Sequence, residues 1–223
     1  MVTFDNARIG WVVFLGIVLN LLSHGCRKED PMVTMVSDMP ALGTPAPYFK
    51  LPDTEGKMVC RDDFPDASAL LVVFISNHCP YVQHIKQGFV TLVKEYQPKG
   101  VAVVAISSND IASYPQDSPE KMAIEARESG FTFPYLYDET QEVAKTYRAV
   151  CTPDFFLFDQ DQKLVYRGRM DESRPGSDKP VTGAELRAAL DAVLKGEKVS
   201  AEQKPSMGCS IKWKPGNIPT GKG

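Results

Sequence analysis

Two short runs built almost entirely from branched apolar residues, LLVVFI at 70–75 and VAVVAIS at 101–107, constrain this chain most. Neither alternates with polar residues, so each predicts a strand covered on both faces, the kind found at the centre of a parallel sheet under helices. Between them Val82, Ile85, Phe89, Leu92, Val93 and Tyr96 recur at helical spacing, and Pro98 with Gly100 ends that helix. Strand, helix and strand in this order make a βαβ unit. Ser118-Pro119 opens a second helix that stops at Gly130, and Thr140 opens a third through Tyr147. FFLF at 155–158 and LVYRGR at 164–169, joined by Asp159 to Lys163, read as a hairpin, which makes the sheet mixed. Thr182-Gly183-Ala184-Glu185 has capping-box spacing ahead of Leu186, Leu190, Val193 and Leu194, with Gly196 as the stop. The fold class is α/β, a mixed central β-sheet flanked by helices.

The first forty residues differ from the rest. The apolar run from Ile9 to Leu22 is shorter than a membrane span of about 20 residues but has the length of a secretory core, so residues 1–25 are expected to be a signal peptide or membrane anchor. Gly25-Cys26 resembles a bacterial lipobox, with Ser23 where that pattern has leucine, which implies lipidation of Cys26. Residues 26–42 read as a polar, methionine-rich linker, 43–198 as the domain, and 199–223 as a tail packed on it. The expected location is therefore the bacterial cell envelope or periplasm, with the membrane as partner through the N-terminus. A formal charge of -3 with acids and bases scattered through every segment leaves no basic stripe for nucleic acid.

Chemistry concentrates at FISNHCPYV, residues 74–82. Cys79 follows a strand and precedes Pro80 at the first turn of a helix, where unpaired backbone N–H groups and the helix dipole favour a thiolate. His78 adds positive charge when protonated, and the Ser76 hydroxyl is placed to hydrogen-bond the thiolate or an arriving oxygen. The opposing reading is a buried, inert cysteine packing as a small hydrophobe. His84 lies off the apolar stripe and reads as a solvated side chain, with copper ligation beside Cys79 as its functional alternative. Cys60 is assigned no role, and no metal site or cofactor is expected.

The order of elements and four motifs resemble the thioredoxin superfamily, most closely its peroxiredoxin-like (AhpC/TSA, redoxin) and membrane-anchored disulfide reductase branches. The motifs are GTPAPYFKL at 43–51, FISNHCPYV, VCTPDFFLFD at 150–159 and LVYRGRMD at 164–171, and the resemblance covers 43–196. The tail PSMGCSIKWKPGN at 205–217 further resembles a subgroup whose active site reads CNHCPYV. Here Ser76 replaces that subgroup's first cysteine, so no local disulfide can form; Ser76 does match the Thr or Ser that peroxiredoxins carry three residues before their reactive cysteine. Val72 stands where those enzymes have proline, and no arginine here is assigned to theirs. The resemblance implies a thioredoxin fold in which Thr152-Pro153 faces the thiol with a cis proline whose neighbouring backbone groups are open to an extended substrate.

The expected function is an envelope thiol oxidoreductase in which Cys79 attacks a peroxide or a disulfide and a thiol reductant restores it; the alternative is a non-catalytic thioredoxin-like module holding copper or a client protein. The subgroup's cysteines at both Cys151 and Cys209 imply that these two serve each other. The tail has few sizeable apolar groups to offset the entropy of ordering it, and a disulfide would supply roughly 4 kcal/mol by loop closure. A second possibility is that Cys209 or Cys151 resolves Cys79 directly.

Overall fold

The computed structural model describes Met1 and residues 33–219. The leader expected at 1–25 and the lipidation expected at Cys26 lie outside the described residues. In chain order the strands and helices are β1 (Thr34–Val36), β2 (Lys50–Pro52), β3 (Met58–Cys60), β4 (Ala69–Phe74), α1 (Pro80–Tyr96), β5 (Val101–Ser107), α2 (Pro119–Ser129), β6 (Tyr135–Tyr137), α3 (Glu142–Tyr147), β7 (Cys151–Thr152), β8 (Asp154–Asp159), β9 (Leu164–Gly168), α4 (Ala184–Leu194) and β10 (Met207–Ser210).

Five strands form the central sheet in the order β6-β5-β4-β8-β9. β4, β5 and β6 run parallel, while β8 is antiparallel to β4 and to β9, the mixed sheet that the hairpin implied. β4 is buried at every position, as its unbroken apolar run required. Alternation along the strands divides the core. Leu71, Val73, Phe155 and Leu157 face Phe89 and Val93 of α1 and Leu186 and Leu190 of α4. Leu70, Val72, Phe74, Phe156 and Phe158 face Phe49, Tyr147 and Ile211. Each such side chain contributes roughly 1.5–3 kcal/mol of burial.

Two further pieces of the architecture position the site. Strand β10 lies between β1 and β7 in a three-stranded antiparallel sheet, so the segment expected to be a tether supplies a strand at Thr34–Val36. The tail is then fastened by side chains from the domain. Buried Gln141 donates to Lys212 O (2.9 Å) and accepts from Lys214 N (2.8 Å), and Asn109 Oδ1 accepts from Lys212 N (2.8 Å). Ile211 is buried and Trp213 packs on the second core.

Helix α4 does not begin with the expected capping box. Glu185 turns to Arg169 instead (2.8 Å), and the helix N-terminus is held by Asp171, whose carboxylate accepts from Thr182 N (2.7 Å) and Gly183 N (2.6 Å). Burial pushes this carboxyl up, but hydrogen bonds from Ser173, Gly183 and Thr182 outweigh it and its pKa lies below the ordinary value. A carboxylate with a lowered folded pKa stabilises fully above its unfolded pKa of about 3.9 and loses that contribution as pH falls through the folded value. Asp171→Ala is therefore expected to cost about 2 kcal/mol at pH 7 and less in acid, read from urea midpoints at pH 7 and pH 3.

Candidate active site

The end of β4 delivers the chain to a short loop, Ile75 to His78, and Cys79 is the residue at the N-terminal boundary of α1, extended at φ -73 and ψ 118, with Pro80 in the first turn. The loop is held from beneath by Asp117, which lies in a single 3-10 turn ahead of α2 and has no solvent exposure. Its carboxylate accepts from Asn77 N (2.7 Å), His78 N (3.3 Å) and Asn109 Nδ2 (2.8 Å), and meets His78 Nδ1 at 2.5 Å. The His78 ring also stacks on Tyr114, centroids 5.1 Å apart. His78 is thus tied to Asp117 through Nδ1, while its Nε2 is buried without a hydrogen-bond partner.

Cys79 itself is completely buried. Its Sγ lies 3.1 Å from Thr152 O and 2.8 Å from Cys209 Sγ. That sulfur–sulfur separation is longer than the roughly 2.05 Å of a formed disulfide but leaves no room for anything between them. Thr152 and Pro153 flank the thiol across a cis peptide bond, as expected, and the Ser76 hydroxyl sits 3.2 Å from the Thr152 hydroxyl. The structure therefore gathers Ser76, Cys79, Thr152, Pro153 and Cys209 at one place. Ser76 pairs with Thr152 there, where the sequence suggested a bond to the thiolate.

The two sulfurs are electrostatically unequal. Burial pushes the Cys79 thiol up, yet hydrogen bonds from Cys209, Thr152 and the Val82 amide outweigh it and bring the pKa down to about 6. The Cys209 thiol is pushed up, first by its hydrogen bond to Cys79 and then by burial, with Lys212 acting weakly against this. The Cys209 contact lowers the Cys79 thiol first, the Thr152 hydroxyl next and the Val82 amide of the helix N-terminus after them, while the same contact raises the Cys209 thiol. Cys151 is the internal comparison. Equally buried but without such donors, it has its thiol pushed well up by burial, with Asp154 adding to the effect.

The expected Cys151–Cys209 tie is not made; none of the four described cysteines is in a disulfide. Register explains this. Cys209 stands opposite Thr152, and Cys151 stands opposite Ser210. Neighbouring residues of a strand point to opposite faces, so Cys209 turns to Cys79 while Cys151 turns away from it. The entropy that the tie was to offset is met by pairing of β10 on both edges and by the Gln141 and Asn109 hydrogen bonds. His84 also departs from its expected place in solvent, being half-buried with Nε2 lacking a partner. Among the described residues no group of three or more His, Cys, Asp or Glu side chains is gathered as a metal site.

Sequence reasoning missed Asp117, 39 residues from His78, and Gly208, where a Cβ would overlap Thr152 O. It also missed Asp154, fully enclosed behind the Thr-Pro loop. Only Gly208 left a trace, as a glycine beside a tail cysteine. A cavity of about 100 Å³ opens beside the site, lined by Tyr81, Pro153, Arg169, Arg174 and Met207.

Known proteins resemble this chain at several levels of similarity. A crystal structure of a conserved protein from Geobacillus kaustophilus is 55% identical, covers 82% of this chain and 98% of that one, and superposes with a TM-score of 0.81. The thioredoxin domain of a thiol-disulfide oxidoreductase from Bacteroides vulgatus is 20% identical, covers 67% of this chain and 98% of that one with a TM-score of 0.52, and shows the thioredoxin fold. The thiol-disulfide oxidoreductase ResA of Bacillus thuringiensis is 27% identical over 56% of this chain and 67% of its own length. A Mycobacterium tuberculosis protein named for the peroxiredoxins is 28% identical over 55% of this chain and 81% of its own. The profile of the AhpC/TSA family matches residues 42–167, more than half of the chain and the whole of the segment that carries Cys79 and Thr152-Pro153, and the chain belongs to that family.

Proposed function

We propose that this protein is a thiol-dependent oxidoreductase of the bacterial cell envelope, in which Cys79 is the nucleophile and Cys209 the thiol that resolves it. The observation that carries this reading is the 2.8 Å contact between a sulfur with its pKa brought down to about 6 and a sulfur with its pKa pushed up. At neutral pH that pair is a thiolate beside a thiol, and its two electrons are ready to leave together as a disulfide forms. With a peroxide, the Cys79 thiolate attacks the O–O bond. A sulfenic acid forms, and the leaving alkoxide or hydroxide takes the Cys209 proton; the Cys209 thiolate then displaces hydroxide from Cys79, a solvent proton converts that hydroxide to water, and the products are a Cys79–Cys209 disulfide, an alcohol or water, and water. With a disulfide, Cys79 forms a mixed disulfide and releases one thiol, and Cys209 displaces the second. An external dithiol reduces the internal disulfide in either case. The envelope location is supported by the apolar run at 9–22 followed by Cys26; full-length chain with Met1 intact in the soluble cytoplasm overturns it.

Titration tests the site. Iodoacetamide alkylation of the reduced protein, followed by peptide mass spectrometry, is expected to label Cys79 with a rate midpoint below that of an ordinary thiol, since the Val82 amide at the start of α1 stays beside the sulfur when the covering strand opens. One equivalent of oxidant is expected to give a Cys79–Cys209 disulfide. Oxidation that joins Cys151 to Cys209 and leaves Cys79 reduced overturns the reading.

A further inference from the structure

We infer that strand β10 occupies the place a polypeptide substrate would need at Cys79, making Met207–Ser210 the element that excludes polypeptide disulfides. This rests on the reading of Cys79 as nucleophile. The buried Cys79 sulfur touches Thr152 O and Cys209 Sγ, so a substrate sulfur in line for attack has to stand where the Cys209 sulfur stands. An extended polypeptide delivering a sulfur there would pair with the edge of β7, as peptides do when they add a strand to a sheet. That edge is taken. Cys209 pairs with Thr152 and Ser210 with Cys151, and the ladder continues as Ile211 N donates to Val150 O (3.0 Å).

The occupant is built to sit close. Gly208 lies so near the Thr152 carbonyl that any Cβ would overlap it, and Gly168 admits the tail backbone at Lys204 O in the same way. On its other edge β10 pairs with β1, Thr34 opposite Cys209 and Met35 opposite Gly208, so it is an inner strand and no loose flap. Ser206 adds a hydrogen bond from its hydroxyl to Gly168 O (2.6 Å). A cavity of about 100 Å³ stays open beside Pro153 and Met207. The chain thus carries its own strand-borne thiol in the substrate position, and the resolving step inside this protein copies the geometry of attack on a peptide disulfide.

The test compares two disulfides, 2-hydroxyethyl disulfide and a disulfide-linked dimer of an extended decapeptide, as oxidants of the reduced full-length chain. Formation of the Cys79–Cys209 disulfide is read by mass spectrometry after acid quenching. The wild-type chain is expected to react at least about tenfold faster with the small disulfide, and Gly208→Ala, which lifts β10 from Thr152 while keeping every cysteine in the chain, is expected to narrow that ratio at least about tenfold. Equal rates for wild type, or an unchanged ratio in a folded Gly208→Ala chain, overturn the proposal. A second measurement needs no glycine variant. In Cys209→Ser, hydrogen exchange of the β10 amides is expected to lose protection when the decapeptide is trapped on Cys79 and to keep it when mercaptoethanol is trapped there. Protection retained under the bound peptide overturns the proposal. A Cys79 that reacts with neither disulfide overturns the nucleophile reading, and this inference falls with it.

Discussion

Serine in place of Cys79 abolishes turnover, by about 10⁴-fold or more, whereas serine in place of Cys209 leaves the first attack intact and stops the cycle after one equivalent of oxidant. The two outcomes differ because the sulfurs differ. A serine hydroxyl at 79 stays protonated at neutral pH, and the donors that bring the Cys79 thiol down to about 6 cannot make an alkoxide of it. At 209 the loss is of the second step. The sulfenic acid or mixed disulfide on Cys79 then persists, because Cys151 turns its sulfur to the other face of the strand pair and sits 4.0 Å from Pro153 O. Rapid-quench stoichiometry with mass spectrometry checks both. Multiple turnovers by Cys209→Ser, or undiminished turnover by Cys79→Ser, contradicts the assignment.

Asp154→Leu makes the protein more stable at pH 8, by roughly 2 kcal/mol, and flattens the dependence of stability on pH above pH 5. Asp154 is 1% exposed, and neither carboxylate oxygen has a hydrogen-bond partner. The Ser206 and Ser37 hydroxyls are its polar neighbours, but they donate to Gly168 O and Met39 Sδ. Burial therefore dominates and pushes the carboxyl well up. A carboxyl whose folded pKa is raised above its unfolded value of about 3.9 takes up a proton on folding above that value, so stability falls as pH rises from about 4 toward the folded pKa. Leucine keeps the branched outline of the aspartate side chain, with methyl groups in place of the two oxygens, and removes the penalty. Urea midpoints at pH 5 and pH 8 decide the matter: parallel shifts of wild type and variant between the two pH values contradict it.

The core of the fold was legible because doubly buried strands write themselves as continuous apolar runs. VAVVAIS corresponds to β5 residue for residue, and the periodic stripe from Val82 to Tyr96 lies within α1. Cys79 before a helical proline and Thr152 before Pro153 were legible for the same reason, since both are local signals. What escaped is non-local. Strands of three or four residues, such as β1 and β10, are too short to show a period, and their pairing joins residues far apart in the chain. Asp117 and Asp171 cap loops and helices from outside the segments they hold. The cysteine pairing turned on strand parity: a shift of one residue in the register of β10 would set Cys209 opposite Cys151, and nothing local to the tail specifies that register.

The contact between Cys79 and Cys209 spans 130 residues, which gives it an order in time as well as in space. A chain grows from its N-terminus at roughly 5–20 residues per second, so Cys79 is synthesised roughly 7–26 seconds before its partner. During that interval β10 does not exist, and β7 and β1 have no strand between them. Cys26 and Cys60 precede Cys79 and Cys151 follows it, and all three are made before Cys209, so these are the thiols a nascent Cys79 meets first. Closing the sheet across such a separation is among the last contacts a chain makes. The final strand is thus the step that ends the window for mispairing, and a chain shortened by its last fifteen residues would remain in that window for good.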